Sequence, residues 1–258
     1  MTFRRIRIRT HISALMLTGI FGLLPVLANA EPPTAPPDAA FQQAVEQVVE
    51  QYIRAHPEVI EQTLQALQAK RQAEEREYTR QVIAMKQPEL LNDPDSPVSG
   101  NLKGDVTVVE FFDYRCGYCK HVAGAVTQLQ QDDPNVRVVY KDYPILGEAS
   151  ELASRAALAS NVQGKHLVFH EALLALEQEL TRESLFAIAS EVGINVEQLQ
   201  KDMTSPSIET IIEHNRALAR ALGINGTPGF IVGTDLIPGA MDLKDLKNLV
   251  NQVRQNKG

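Results

Sequence analysis

Apolar residues near the start of the chain fall at helical steps. Phe41, Val45, Val48, Val49 and Tyr52 recur three and four residues apart, and Ile60, Leu64 and Leu67 resume the pattern after His56-Pro57. This spacing predicts two helices. Asp38 suits the N-cap of the first, and Pro57 suits the first turn of the second. The second runs to about Met85, and its centre, AKRQAEEREYTRQ, has almost no apolar face. Such a pair cannot bury enough surface alone, so its apolar stripe needs a partner. Self-association is the expectation, with packing on the rest of the chain as the alternative. The segment PELLNDPDSPVSGN, 88–101, reads as a linker with turns that leads into a short strand.

From Asp105 the period changes. Val106 to Phe112 is nearly continuous in apolar and β-branched residues, the pattern of a buried strand. Cys119, Val122, Ala123, Val126 and Leu129 then recur at helical spacing, from Cys116 to about Gln131. Val136 to Tyr140 is a second strand. Strand, helix and strand with short connections predict a βαβ unit and a parallel pair. A run of helices follows: 148–160, about 165–177, 182–192, 196–201 and 208–222. Gly193 and Gly223 stand where helices end. Phe230-Ile231-Val232 and Leu236-Ile237 flank a Gly-Thr-Asp turn and predict a hairpin. Asp242 to about Gln255 forms a last amphipathic helix. No internal repeat is visible.

The ends and the charge narrow the class. Arg4, Arg5, Arg7 and Arg9 precede an apolar run from about Ile12 to Leu27, and Ala28-Asn29-Ala30 is an A-x-A signal. Residues 1–30 therefore read as a secretory signal peptide cleaved after Ala30. EPPTAPP, 31–37, is a proline-rich leader. Cleavage would remove four arginines and no acid, taking the formal net charge from −7 to −11. So acidic a chain has no surplus of cations for phosphates, which argues against a nucleic-acid partner.

Cys116 and Cys119 are the two cysteines of the chain. They close too small a loop to staple a fold. C-type haem attachment needs His directly after the second cysteine, but Lys120 stands there and His121 comes one place late. Structural zinc needs four ligands. His166 and His170 could share a helix face, but Leu167 stands where an HExxH glutamate would, so solvated histidines are expected and no metal site. A two-thiolate copper(I) site remains chemically possible. C-x-x-C at the end of an apolar strand and the start of a helix points instead to redox chemistry. The first helical turn offers unpaired N–H groups and a positive dipole end that stabilise a thiolate at Cys116. One cysteine attacks a foreign disulfide and the other resolves the mixed disulfide.

VVEFFDYRCGYC resembles the active-site strand and helix start of DsbA-like periplasmic thiol–disulfide oxidoreductases. Gly226-Thr227-Pro228-Gly229-Phe230 resembles their cis-proline loop. The resemblance covers about residues 96–258. It implies an α/β thioredoxin fold with an inserted all-helical domain at about 147–222, preceded by an N-terminal helical oligomerisation segment. The resulting partition is 1–30 signal, 31–37 leader, 38–88 helical oligomerisation region and 89–258 DsbA-like thioredoxin domain. The added helices, and CGYC in place of CPHC, resemble the ScsC (suppressor of copper sensitivity) subgroup, whose members assemble through an N-terminal helical region. Carried over by this resemblance, Cys116 is the nucleophile, Cys119 the resolving thiol and Pro228 the cis-proline beside them, where an extended substrate binds. Thr227 tunes redox behaviour, Glu110 is a buried acid that relays protons, and Lys141 is its partner.

Gly117 and Tyr118 set the dipeptide between the cysteines and face the substrate. Tyr118 brings no positive charge to the thiolate, so the disulfide should be less oxidising than that of strong oxidants with His there. The expected function is a periplasmic disulfide isomerase or reductase acting on exported proteins with cysteines. A membrane redox partner would keep it reduced, and it would work as a homo-oligomer, dimer or trimer. The redox-active Cys116–Cys119 disulfide would be its only redox group, with no separate cofactor. The competing readings are a DsbA-type dithiol oxidase and a copper(I)-binding protein using the same thiols.

Overall fold

A computed structural model describes residues 38–256. The signal peptide and leader expected at 1–37 lie outside the described residues. The chain divides into two compact units, one up to Glu61 and one from Gln62. The described part of the first unit is helix α1 (Ala39–Ala55) and the first turn of α2 (Glu58–Met85). Asp38 caps α1, its carboxylate accepting the Phe41 N–H at 2.7 Å. No residue of α1 is buried, and Phe41, Val48 and Tyr52 are each more than half exposed.

The second unit is built on a five-stranded sheet. Its strands are β1 (Val98–Gly100), β2 (Val106–Phe112), β3 (Val136–Asp142), β4 (Gly229–Val232) and β5 (Asp235–Pro238), in the order β1-β3-β2-β4-β5. Only the β2–β3 pair is parallel, joined by α4 (Gly117–Asp132), as the βαβ spacing predicts. The expected linker at 88–101 contains regular structure: a short helix, α3 (Gln87–Leu91), and β1. Pro88 sits in the first turn of α3, where a missing N–H costs nothing, and Leu90 is fully buried.

Five helices lie between β3 and β4: α5 (Glu148–Ser160), α6 (His166–Ala175), α7 (Arg182–Glu191), α8 (Val196–Asp202) and α9 (Pro206–Ala221). The last helix is α10 (Leu243–Gln255). Among the described residues no helix is long and apolar enough to cross a membrane.

Side chains alternate across β2 and separate two cores. Val106, Val108 and Phe112 face α4, α10 and the helical insertion. Val109 and Phe111 face the other way, against Leu90, Leu218, Leu222 and the end of α2. Val82 and Ile83 thus belong to the packing of the sheet although they lie within 38–88. Full burial of a side chain such as Ile83 contributes roughly 1.5–3 kcal/mol.

Candidate active site

β2 ends at Phe112, and Asp113-Tyr114-Arg115 turn the chain into α4. Cys116 is the N-cap of that helix, with extended backbone (φ −71°, ψ 115°). Its Sγ accepts the Cys119 N–H at 3.3 Å, so the sulfur occupies the position of a capping oxygen. β4 runs antiparallel to β2, and the loop entering β4 thereby meets the mouth of α4. The Cys116 thiol donates to the Thr227 carbonyl at 3.2 Å, and the Thr227–Pro228 peptide is cis. The structure therefore brings Cys116, Cys119, Thr227 and Pro228 together.

The two thiols sit in different surroundings. Cys116 is 6% exposed and Cys119 is wholly buried. Burial pushes the Cys119 thiol well above its ordinary range. The nearby Cys116 and Glu110 add to the shift, and the polar Asp113 backbone offsets part of it. Tyr118 is 71% exposed. A Cβ on Gly117 would meet nothing within 4 Å, so the surface over the helix mouth is open. A groove of about 880 Å³ runs from Tyr118 past Thr227 and Pro228, between β5 and the Arg76–Arg80 face of α2.

Glu110 shares a face of β2 with Val108 and Phe112 and so lies under α4. It is buried, its Oε1 has no hydrogen-bond partner, and burial pushes its carboxyl up to about 8. The expected pairing with Lys141 does not form. In the β2–β3 register Glu110 lies opposite Tyr140 and Lys141 opposite Phe111, so alternation sends the two side chains to opposite faces. Lys141 is fully buried and binds Asp93 at 2.7 Å instead. Burial lowers the Lys141 pKa, and the Asp93 bond opposes that shift.

His166 and His170 are not solvated. Both are buried with their rings stacked, centroids 5.5 Å apart, beside Tyr140, and His170 also meets the edge of Phe112. Tyr114 Oη lies 3.0 Å from His170 Nδ1. Burial pulls His166 down to about 3 and His170 well below its ordinary value, so both stay neutral and serve as core residues. Among the described residues no three His, Cys, Asp or Glu side chains converge as metal ligands.

Two acids escape the sequence reading. Asp93 lies in the stretch read as linker. Asp113, read only as part of the turn, is wholly buried and accepts the Arg115 N–H at 2.7 Å. The signal for Asp113 was its position two residues before an N–H it could accept, the pattern of an Asx-turn.

Comparison with known proteins follows the same lines. Residues 107–251 match the DSBA-like thioredoxin domain, and residues 42–74 match the copper resistance protein ScsC N-terminal domain. A thioredoxin-like oxidoreductase from Silicibacter pomeroyi DSS-3 is 48% identical, with 65% of this chain and 97% of that one covered and a TM-score of 0.64. The thiol-disulfide exchange protein alpha-DsbA2 from Wolbachia pipientis is 34% identical, with 69% and 97% covered and a TM-score of 0.66. A linker-deletion mutant of Proteus mirabilis ScsC is 25% identical, with 87% and 100% covered and a TM-score of 0.66. The first curated relatives are Na(+)/H(+) antiporters, and the chain spans only 28, 25 and 22% of their length. The domain match takes in more than half of the chain and runs through both cysteines and the cis-proline loop, so this chain belongs to the DsbA-like thioredoxin-fold family of thiol–disulfide oxidoreductases.

Proposed function

We propose that this chain is a disulfide isomerase and reductase of exported proteins, acting in the periplasm as a homo-oligomer. The observation that carries the reading is Cys116 Sγ at the N-cap of α4, 3.2 Å from the Thr227 carbonyl, with an uncharged Gly-Tyr dipeptide after it. The first turn of α4 presents a backbone N–H to the Cys116 sulfur, while nothing in the dipeptide adds the cation of a strong oxidant. A secretory signal at 1–30 supports the compartment, as does likeness to a periplasmic thioredoxin-like protein of Salmonella enterica serovar Typhimurium.

The Cys116 thiolate attacks a client disulfide. A bond forms between Sγ and one client sulfur, the client S–S bond breaks, and the electron pair leaves on the second client sulfur, which takes a proton from water. In isomerisation the freed client thiol attacks another client disulfide, and a client thiolate then releases Cys116, with no net oxidation. In reduction Cys119 loses its proton, attacks Cys116 and expels the client thiolate, so the client gains two electrons and the enzyme is left oxidised. A membrane partner returns those electrons. Thr227 and Pro228 hold an extended client segment, Gly117 leaves room for it, Tyr118 covers it, and Glu110 takes part in the Cys119 proton transfer. Lys141, on the far face of the sheet, supports the fold rather than the proton path.

The exposed stripe of α1 supports assembly: several copies raise the effective concentration of active sites around one client. Scrambled ribonuclease tests this. Val45→Glu with Val49→Glu should yield a monomer that loses reactivation but still reduces insulin. Reactivation by a monomer would refute the oligomeric mechanism. These point changes are preferable to deletion through residue 88, which would strip Val82 and Ile83 from the sheet.

A further inference from the structure

Asp113 joins the end of β2 to the turn before Cys116, and both halves of the residue are engaged. The side chain is wholly buried and collects four donors. Oδ1 accepts the Arg115 N–H and the Ser150 hydroxyl, each at 2.7 Å. Oδ2 accepts the Ile145 N–H at 2.8 Å and the Leu146 N–H at 3.0 Å. The Arg115 side chain closes the same clasp by donating to the Leu146 carbonyl at 2.6 Å. The main chain of Asp113 holds the first cysteine. Its carbonyl accepts the Cys116 N–H at 3.1 Å, and the Cys116 sulfur in turn accepts the Cys119 N–H at 3.3 Å.

A simple turn does not need this residue. Asn or Ser would accept the Arg115 N–H equally well. A carboxylate is required because donors converge on both oxygens. An amide would turn its own NH2 against one pair of them. None of the four donors carries a charge, and the buried Asp142 is close enough to repel. A buried carboxylate in this setting is costly, and the clasp is what offsets that cost.

We infer that Asp113 is a positioning residue for the resolving step: its carboxylate, clasped to the 145–150 segment, fixes the main chain that holds Cys116 where Cys119 must reach it. The inference rests on Cys116 and Cys119 being a redox pair, not on the choice between isomerase and oxidase. In the resolving step Cys119 gives up its proton, passed by way of Glu110 to water, and its sulfur attacks Sγ of Cys116. The bond from Cys116 to the client sulfur breaks, and the electron pair leaves on the client thiolate. The Cys116 sulfur must therefore stand in line for that attack. A loosened main chain at 113 releases the Cys116 N–H from its carbonyl and lets the sulfur shift.

The test reacts the reduced full chain with oxidised glutathione, quenches with acid, and follows the ratio of protein–glutathione mixed disulfide to intramolecular disulfide by mass spectrometry. Asp113→Asn should raise that ratio by about tenfold, within the roughly 10²-fold that a 1 Å misplacement of reacting groups can cost. Ser150→Ala, which removes one donor of four, should raise it less. A folded Asp113→Asn protein with the wild-type ratio would overturn the inference. Should Asp113→Asn fail to fold, Ser150→Ala decides alone, and an unchanged ratio there overturns it. If the wild type itself forms no intramolecular disulfide, the redox-pair reading fails instead.

Discussion

Replacing Glu110 by Gln should remove a pH dependence of stability that the buried carboxyl imposes. In the folded protein this group ionises only at about 8, against an ordinary value of 4.5, because burial excludes water from it. Its Oε1 has no hydrogen-bond partner to help. Between these two values the unfolded chain has released the proton while the folded chain keeps it. Folding is then disfavoured as pH rises, by about 1.4 kcal/mol for each unit. From about pH 5 to about pH 7.5 the accumulated loss is about 3 kcal/mol.

Gln has the same shape and cannot ionise, so its curve lacks this slope. The assay is urea unfolding of the oxidised protein at both pH values, analysed as a two-state transition. Asp142 and the buried histidines titrate in both proteins, so they drop out of the difference. The stability of the variant relative to wild type should increase by about 3 kcal/mol from the lower pH to the higher. The offset at the lower pH includes burial of the amide and carries no weight. Parallel curves would refute the reasoning, because they would mean that Glu110 is ionised or solvated in the folded state.

Three further outcomes follow from the same geometry. Asp93→Ala leaves the Lys141 ammonium buried without its partner and should cost about 3–5 kcal/mol in urea unfolding; adding Lys141→Met should recover most of that. His166 stays neutral when folded, with a pKa near 3, whereas the unfolded chain takes up a proton below its ordinary 6.5. Stability therefore falls as pH drops from 6.5 toward 3, and His166→Phe should flatten the acid limb by about 1.4 kcal/mol per unit, read from unfolding at successive pH values. Tyr118→His places an imidazolium beside Cys116 and should make the disulfide more oxidising, by about 30 mV for each 1.4 kcal/mol of thiolate stabilisation; a glutathione redox titration that shows no shift, or a more negative potential, would contradict this.

The β2–α4–β3 core was legible because its residues repeat long enough to set a period. Val106 to Phe112 is apolar nearly throughout, and Cys119, Val122, Val126 and Leu129 mark a single helix face, all four of them buried. Helix α3 was illegible. Five residues give no period, and its support comes from Leu90 packing against the sheet and from a Lys86–Glu89 pair. The Glu110–Lys141 pairing illustrates a deeper limit. Linear spacing puts an acid and a base on neighbouring strands, but the register across the pair decides which faces they share, and the true partner of Lys141 lies 48 residues away. α6 inverts the usual pattern: Leu167 and Val168 are partly exposed while His166 and His170 are buried. The aromatic edges of Phe112 and Tyr140, and the Tyr114 hydroxyl, make room for neutral imidazoles. None of those partners is near α6 in sequence.

The direction of electron flow at Cys116 and Cys119 is the point on which the proposed function turns. Alkylation trapping in the living cell reads it directly: cells are quenched in acid, free thiols are labelled with a mass-shifting maleimide, and the protein is resolved by size. The account predicts that both cysteines are labelled, because an isomerase and reductase is held in the dithiol form. A protein that escapes labelling, and takes up the label at both cysteines only after chemical reduction, would be held as the disulfide, and that result would make it a dithiol oxidase.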